Sequence, residues 1–420
     1  MGTDGRGSLG AMWLASPAHS RWLENEFDAL AGLASEAGTA HGFGYLDDAG
    51  EVIAARGHDL FLTCRTTHVF ALAHLLGRPG AASQVDHGIR SLTESFADPR
   101  GGWFSALAAD GTPTDETKAA YAHAFVILAA ASATEAERPG GRDLLGQALA
   151  VSEEHFWREE EGMVVESWNA DFTECENYRG INANMHTVEA YLAAADASGN
   201  DLWLERAERI TRRALDDFAR NNAWRLPEHF TADWEPIYDY NAAEPAHPFR
   251  PAGATIGHWF EWARLALHVE AALAKREKPA PDYLAETAQA LFEAGVDEGW
   301  SVDGEDGFIY TVDFTGAPLV RERMHWVVAE AIAAAAVLYR RTGEEHYERW
   351  YRQWWEYAAV HLIDPDGSWW HELSPSNDVS RTVWEGKPDI YHAAQATLIP
   401  RLPLAPVLAT ALRRGLLDRH

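Results

Sequence analysis

Residues 254–267, ATIGHWFEWARLAL, read as a helix that is apolar almost all the way round, broken only by His258, Glu261 and Arg264. His258 and Glu261 are three positions apart and share one helical face. Imidazole titrates near neutrality, so a histidine held beside a carboxylate can take up and return a proton. A single buried histidine is more often a satisfied core group. The other apolar segments change that balance, because polar residues recur in their opening turns. TCRTTH carries Arg65 and His68, KAAYAH carries Tyr121 and His123, and NANMH carries Asn182, Asn184 and His186. RMHWVVAE carries His325, Trp326 and Glu330, and KPDIYHAAQ carries Lys387, Asp389, His392 and Gln395. Core histidines placed by chance would scatter along their helices. His68 and His123 are read as deeper, structural groups, one of Asn182 and Asn184 as a helix cap, and Glu330 as a buried carboxylate that needs a partner such as a catalytic histidine.

Other chemistries lack their signatures. The chain has no H-E-x-x-H, no paired E-x-x-H and no cysteine cluster for a metal. It has no phosphate-binding glycine loop after a strand and no G-x-S-x-G nucleophile elbow. What remains is a cavity lined by histidines, carboxylates and aromatics. Tryptophans outside the evident helices, at 103, 168, 234, 369, 370 and 384, either cap a large core or form walls on which the C–H face of a sugar packs.

The elements that must position these residues form a repeat. Charged amphipathic segments (20–38, 81–98, 140–162, 200–220, 280–300, 343–364) alternate with Ala/Leu/Val-rich ones (63–77, 117–133, 181–199, 255–276, 324–343, 389–403). Charged helices suit an outer layer and all-round apolar helices an inner one. The linkers between them, such as HGFGYLDDAGEV, DGFIYTVDFTGAP and GSWWHELSPSND, carry hairpin signals. The polar marker of each inner helix (Arg65, Tyr121, His186, His258, His325, His392) recurs after 56, 65, 72, 67 and 67 residues. Six helical hairpins of this period close into an all-α (α/α)6 barrel, with a further helix at 405–419. The hairpin loops then gather at one end, and the inner-helix N-termini point into one cavity. No linker or composition shift divides the chain, so residues 16–420 read as one catalytic domain behind a flexible N-terminal stretch, 1–15.

A net charge of −29 repels phosphate backbones and argues against a nucleic-acid partner. No apolar run is long enough for a membrane span, and two cysteines without metal spacing suit a reducing cytoplasm.

The motifs TCRTTHVFALAHL, NANMHTVEAYLAAAD, HPFRPAGATIGHWFEWARL, MHWVVAEAIAAA and WEGKPDIYH together resemble the N-acylglucosamine 2-epimerase superfamily over nearly the whole chain. WEGKPDIYH and GATIGHWFEW are most similar to its aldose–ketose isomerases. The resemblance implies cofactor-free, metal-independent proton transfer on a free monosaccharide, by a monomer or homodimer. It implies interconversion of D-mannose and D-fructose through a cis-enediol. It further implies that His392 is the principal acid/base and His258 the second histidine, on the opposite side of the sugar, with Glu261 as the carboxylate of that pair. Arg65, Asn182 and His186 are implied as sugar-binding groups, and Trp326, Glu330 and Trp384 match motif positions of less defined role.

Alternatives stay open at this stage. A 2-epimerase of cellobiose or N-acylglucosamine type uses the same two histidines. A sulfosugar isomerase needs an extra cation, for which Arg250 and Lys387 are candidates. A glycoside hydrolase on the same barrel would use carboxylates such as Glu176, Glu261 and Glu330. A non-catalytic carbohydrate-binding scaffold would explain the tryptophans but not the His–Glu pair.

Overall fold

The computed structural model describes residues 12–419. Of the N-terminal stretch expected to be flexible, residues 1–11 lie outside the described residues. Trp13–Ala15 form one 3₁₀ turn, with the Trp13 N–H donating to Glu348 Oε1 at 2.7 Å. Thirteen α-helices follow among the described residues. The inner layer is α2 (Leu60–Leu75), α4 (Ala120–Glu135), α6 (Ile181–Ser198), α8 (Ile256–Lys275), α10 (His325–Thr342) and α12 (Tyr391–Leu398). The outer layer is α1 (Pro17–Ser35), α3 (Ala81–Arg90), α5 (Gly141–Val151), α7 (Leu202–Arg212), α9 (Tyr283–Gly299) and α11 (Glu345–Tyr357). Each inner helix packs on its two inner neighbours, α12 returns to α2, and α1 packs on α12. This is the (α/α)6 barrel that the alternation predicts. A short α13 (Leu408–Arg413) crosses the far end against α2, α4 and α6.

The layers follow from side-chain chemistry. On α4 every residue from Ala122 to Ala133 is buried, and on α8 every residue from Ile256 to Val269, so each is covered by helices on all sides. The outer α7 and α11 bury one stripe and leave their charged face to water. Most of the outer helices relax into a wide π-type turn before the hairpin that follows, as at Ser91–Ser95, Ser152–Phe156, Arg213–Ala219 and Ala358–Leu362.

The inner helices begin without side-chain caps. Their first N–H groups are satisfied in another way. Each helix is preceded by an extended dipeptide that pairs antiparallel with the hairpin of the next repeat: His58–Asp59 with Ala106–Leu107, Lys118–Ala119 with Ser167–Trp168, Arg179–Gly180 with His229–Phe230, Ala254–Thr255 with Thr311–Val312, and Arg323–Met324 with Glu372–Leu373. One residue further on, the N–H of Leu60, Ala120, Ile181, Ile256 and His325 donates to the carbonyl of Ser105, Glu166, Glu228, Tyr310 and His371 respectively. In the sixth repeat the Lys387 N–H reaches back to the Leu46 carbonyl in the first hairpin and closes the ring. The carbonyl takes the place of a cap and fixes where each opening turn stands.

Glycine meets two specific demands near α8. Gly253 has φ +84°, and a Cβ there would lie 2.2 Å from the Val312 carbonyl oxygen, so only glycine lets the lead-in approach its hairpin. At Gly257 a Cβ would lie 2.3 Å from Trp326 Cζ3. The ring of Trp326 lies 5.2 Å from that of His258 and 5.6 Å from that of His392, so Gly257 sets the position of the indole against both. Gly257→Ala should therefore displace Trp326 and cut kcat/KM by at least about tenfold, while overpacking lowers stability by about 1–3 kcal/mol. Steady-state kinetics and urea denaturation check the pair. Loss of stability with unchanged kinetics would show that the indole position does not matter to turnover.

Candidate active site

The opening turns of the inner helices and the hairpins beside them enclose a cavity of about 710 Å³, counted to its open mouth. Arg65, Asn182, His186, His258, Glu261, Trp326, Trp384 and His392 all line it. The ninth residue implied by the motifs, Glu330, does not reach the lumen. It stands behind His392. One register brings a residue of every inner helix to the same depth, and three of these, Arg65, His186 and Glu261, line the cavity. Five residues beyond the first residue of each inner helix come Arg65, Phe125, His186, Glu261 and Glu330, and five beyond Ile390 comes Gln395. One turn below lie His68, Glu189 and Arg264.

The two central histidines are oriented by carboxylates. His392 Nδ1–H donates to Glu330 Oε1 at 2.8 Å, and His258 Nδ1–H lies 3.0 Å from both Glu228 oxygens. A carboxylate accepts only, so each Nδ1 carries the proton and each Nε2 lone pair is left for the cavity. The expected pairing of His258 with Glu261 is corrected here. Three residues along the helix, Glu261 comes within 3.6 Å of His186 Nδ1 and 3.5 Å of Arg264. The carboxylate that serves His258 is Glu228, whose own backbone carbonyl holds the N-terminus of α6.

Beneath the histidines, Arg264 lies among three buried carboxylates: Glu330 (Nε–Oε2 2.9 Å), Glu261 and Glu189 (3.6 Å). Burial opposes the charge on Glu330, but Arg264 and His392 outweigh it and hold this carboxyl well below the usual range. Glu261 goes the other way. Burial first, and then the charge on Glu330, push its carboxyl well above the usual range, and one of its oxygens has no partner. Two neighbouring carboxyls are thus shifted in opposite directions, the pattern that separates acid and base roles. Two triads, His186–Glu189–Glu261 and Glu261–Glu330–His392, bring possible ligand atoms close enough for a metal ion. Arg264 already supplies the positive charge in their midst.

Other expected residues sort by what they touch. Arg65 pairs with Asp389 and donates to Tyr121 Oη at 2.9 Å, while its Nε has no partner. The Asp389 carboxyl, despite burial, is held down to about 2, with the Arg65 charge the main lowering effect. Asn182 lines the cavity with an unpartnered oxygen, whereas Asn184 is satisfied by Val164 and Gly180. His68 bonds to Ser132, and His123 to the Ala119 carbonyl and the Trp103 N–H, the structural roles expected of both. Of the loop tryptophans only Trp384 reaches the cavity; Trp103, Trp234 and Trp369 are core. Phe249, edge-on to Phe61, Tyr121 and Trp384, stands at the mouth. Neither candidate cation is free: Arg250 is clamped by Glu176, and Lys387 is bound to Asp364 and Ser368 over Trp370. The same contact engages Glu176, one of the carboxylates a hydrolase would need.

A helical barrel with two carboxylate-backed imidazoles on one lumen defines a proton-transfer enzyme. The chain belongs to the N-acylglucosamine 2-epimerase family, which residues 42–396 match. It is 54% identical over 96% of its length, and 98% of the relative's, to a D-mannose isomerase of Thermobifida fusca. It is 48% identical over 95% of its length, and 97% of the relative's, to one of Pseudomonas cannabina pv. alisalensis. A crystal structure of a D-mannose isomerase superimposes with a TM-score of 0.84 at 30% identity, over 91% of this chain and 98% of that one.

The opposite states of the two carboxyls can be separated by amide substitution. Glu330→Gln removes the charge behind His392 and should lower kcat by on the order of 10²- to 10⁴-fold. Glu261→Gln replaces a neutral acid by a neutral amide and should stay within about tenfold. A folded protein that keeps the Glu261 proton, against an unfolded chain that releases it in the usual carboxylate range, loses that contribution as pH rises toward the folded value. Glu261→Gln should therefore gain stability over wild type progressively above about pH 4–5. Urea denaturation across pH 4.5–9 checks this, and a constant difference would mean that Glu261 is ionised in the fold.

Proposed function

We infer that the protein is a metal-independent aldose–ketose isomerase that interconverts D-mannose and D-fructose. The observation that carries the reading is the pair His258–Glu228 and His392–Glu330, with Nε2 atoms left for one cavity and Trp326 near both rings. The high identity to D-mannose isomerases over essentially their full length supports mannose as the aldose.

In the open-chain sugar, His392 Nε2 removes the proton from C2. Negative charge moves to O1, where the Arg65 guanidinium lies in the same lumen and offers the preorganised stabilisation that dominates such steps. As the carbonyl moves from C1 to C2, a hydroxyl proton must pass from O2 to O1. His258 Nε2 has a lone pair that can take this proton from O2 and return it to O1. His392 then returns its proton to C1. His186 and Asn182, side by side on α6, are assigned to the ring oxygen and ring opening. Burial, reinforced by the charges of Arg65 and His392, keeps His186 neutral.

A free, uncharged monosaccharide fits better than a sulfosugar, because both candidate cations are already paired. A 2-epimerase would differ by reprotonating C2 from the far side, for which His258 is the available acid. With Cys64 and Cys175 both unpaired, and no described helix long and apolar enough to cross a membrane, we place the enzyme in the cytoplasm.

Incubation with D-mannose in the presence of EDTA, followed by NMR, should give fructose as the first product at an undiminished rate. Glucose appearing first would make the protein a 2-epimerase, and loss of the rate with EDTA would mean that one of the buried triads holds a metal. His392→Ala and His258→Ala should each lower turnover by at least about 10²-fold.

A further inference from the structure

A third imidazole in the cavity is built like the two catalytic ones, with one difference. His325, the first residue of α10, turns its Nδ1 to the His371 carbonyl oxygen at 3.3 Å, and its backbone N–H donates to the same oxygen at 3.1 Å. A carbonyl oxygen only accepts, so Nδ1 carries the proton and Nε2 is a bare lone pair. That Nε2 is fully buried and has no partner, and His325 lines the cavity. The His371 ring, 4.0 Å away, cannot supply a donor. Its own Nδ1–H is given to the Trp369 carbonyl at 3.1 Å, and its Nε2 accepts the Asp389 N–H at 3.0 Å. The tautomers of both rings are therefore fixed by backbone groups.

The partner decides the role. Carboxylates behind His258 and His392 supply a counter-charge for the imidazolium that forms when a proton is taken up. A neutral carbonyl does this far less well, and a buried ring against a second imidazole is a poor place for a cation. His325 is suited to accept a hydrogen bond and unsuited to carry a proton.

We propose that His325 is a specificity-determining residue, whose Nε2 accepts a hydrogen bond from one of the sugar hydroxyls that take no part in the proton transfer, at O3, O4 or O6. The proposal rests on the cavity being a sugar site. A buried acceptor left empty disfavours any ligand that cannot fill it. A sugar lacking the matching hydroxyl is bound more weakly even though it fits.

The test compares D-mannose with its 3-, 4- and 6-deoxy analogues in wild type, His325→Phe and His325→Gln. Wild type should lose roughly 10- to 100-fold in kcat/KM on one of the three analogues. His325→Phe, which keeps a ring against His371, should raise KM for mannose by a similar factor with kcat within about threefold, and should no longer discriminate against that analogue. His325→Gln, which returns an acceptor, should recover part of the discrimination. Equal treatment of all three analogues by wild type would overturn the proposal and needs no variant. So would a His325→Phe enzyme that keeps the discrimination, or one whose loss lies in kcat. Calorimetric binding of the same sugars reads the acceptor without turnover. Failure of wild type to convert mannose would strike the proposed function, while the binding comparison would still judge His325.

Discussion

The hydrogen bond from the first N–H of five of the six inner helices to a hairpin carbonyl of the next repeat is the constraint on which the site depends. A helix end buried in a protein must satisfy its free N–H groups. Here the acceptor comes from the following repeat, so each bond also fixes the offset between neighbouring repeats. The same backbone positions then present their own side chains at the barrel end. Ser105, Glu166, Glu228, Tyr310 and His371 occupy equivalent places just before their hairpin strands. Glu228 reaches His258 on the following inner helix with its side chain, and His371 holds His325 on the preceding one with its carbonyl.

Given fixed opening turns, the chemistry is set by how the charges below them balance. Four buried ionisable groups are packed around Arg264: Glu189, Glu261, Glu330 and, beyond Glu330, His392. Isolated charges at this depth would be prohibitive. Arg264 makes one carboxylate tolerable where it holds Glu330 at 2.9 Å. Glu189 is further satisfied by Tyr391 and Gln395. Glu261 has only longer contacts, and burial with the Glu330 charge pushes its carboxyl well above the usual range. The acid and the base-supporting carboxylate therefore differ by hydrogen bonding, although both sit at the same register on adjacent inner helices.

Much of this was legible in the sequence, for reasons that also mark where legibility stopped. The barrel could be read because its inner helices are apolar on all sides and its outer ones are not. The residues Arg65, Asn182, His186, His258, Trp326 and His392 could be read because they interrupt apolar helices in the first two turns. Helical spacing cannot say which partner a side chain finds on another repeat. Glu261 was therefore paired with the histidine nearest in sequence, and Glu228 was missed. Its signal was available in its place one residue before a hairpin strand, but only alignment of the six repeats by that strand would have exposed it. Trp384 joins the cavity while the other loop tryptophans do not, a difference that depends on how each hairpin folds back.

The three imidazoles show how one arrangement serves different ends. In each, Nδ1 is committed to an acceptor and Nε2 is left unpartnered, so the ring's orientation is secured before substrate arrives. Carboxylate partners lie behind the two rings assigned to proton transfer, and a carbonyl lies behind the third. Moving a proton onto an imidazole in a dry cavity requires a counter-charge already in place, which Glu228 and Glu330 supply. Accepting a hydrogen bond requires only a lone pair kept free of water, which the His371 carbonyl secures without adding charge. The division follows from what stands behind each ring: Glu228 from a hairpin and Glu330 from an inner helix present carboxylates, whereas His371 presents its carbonyl oxygen.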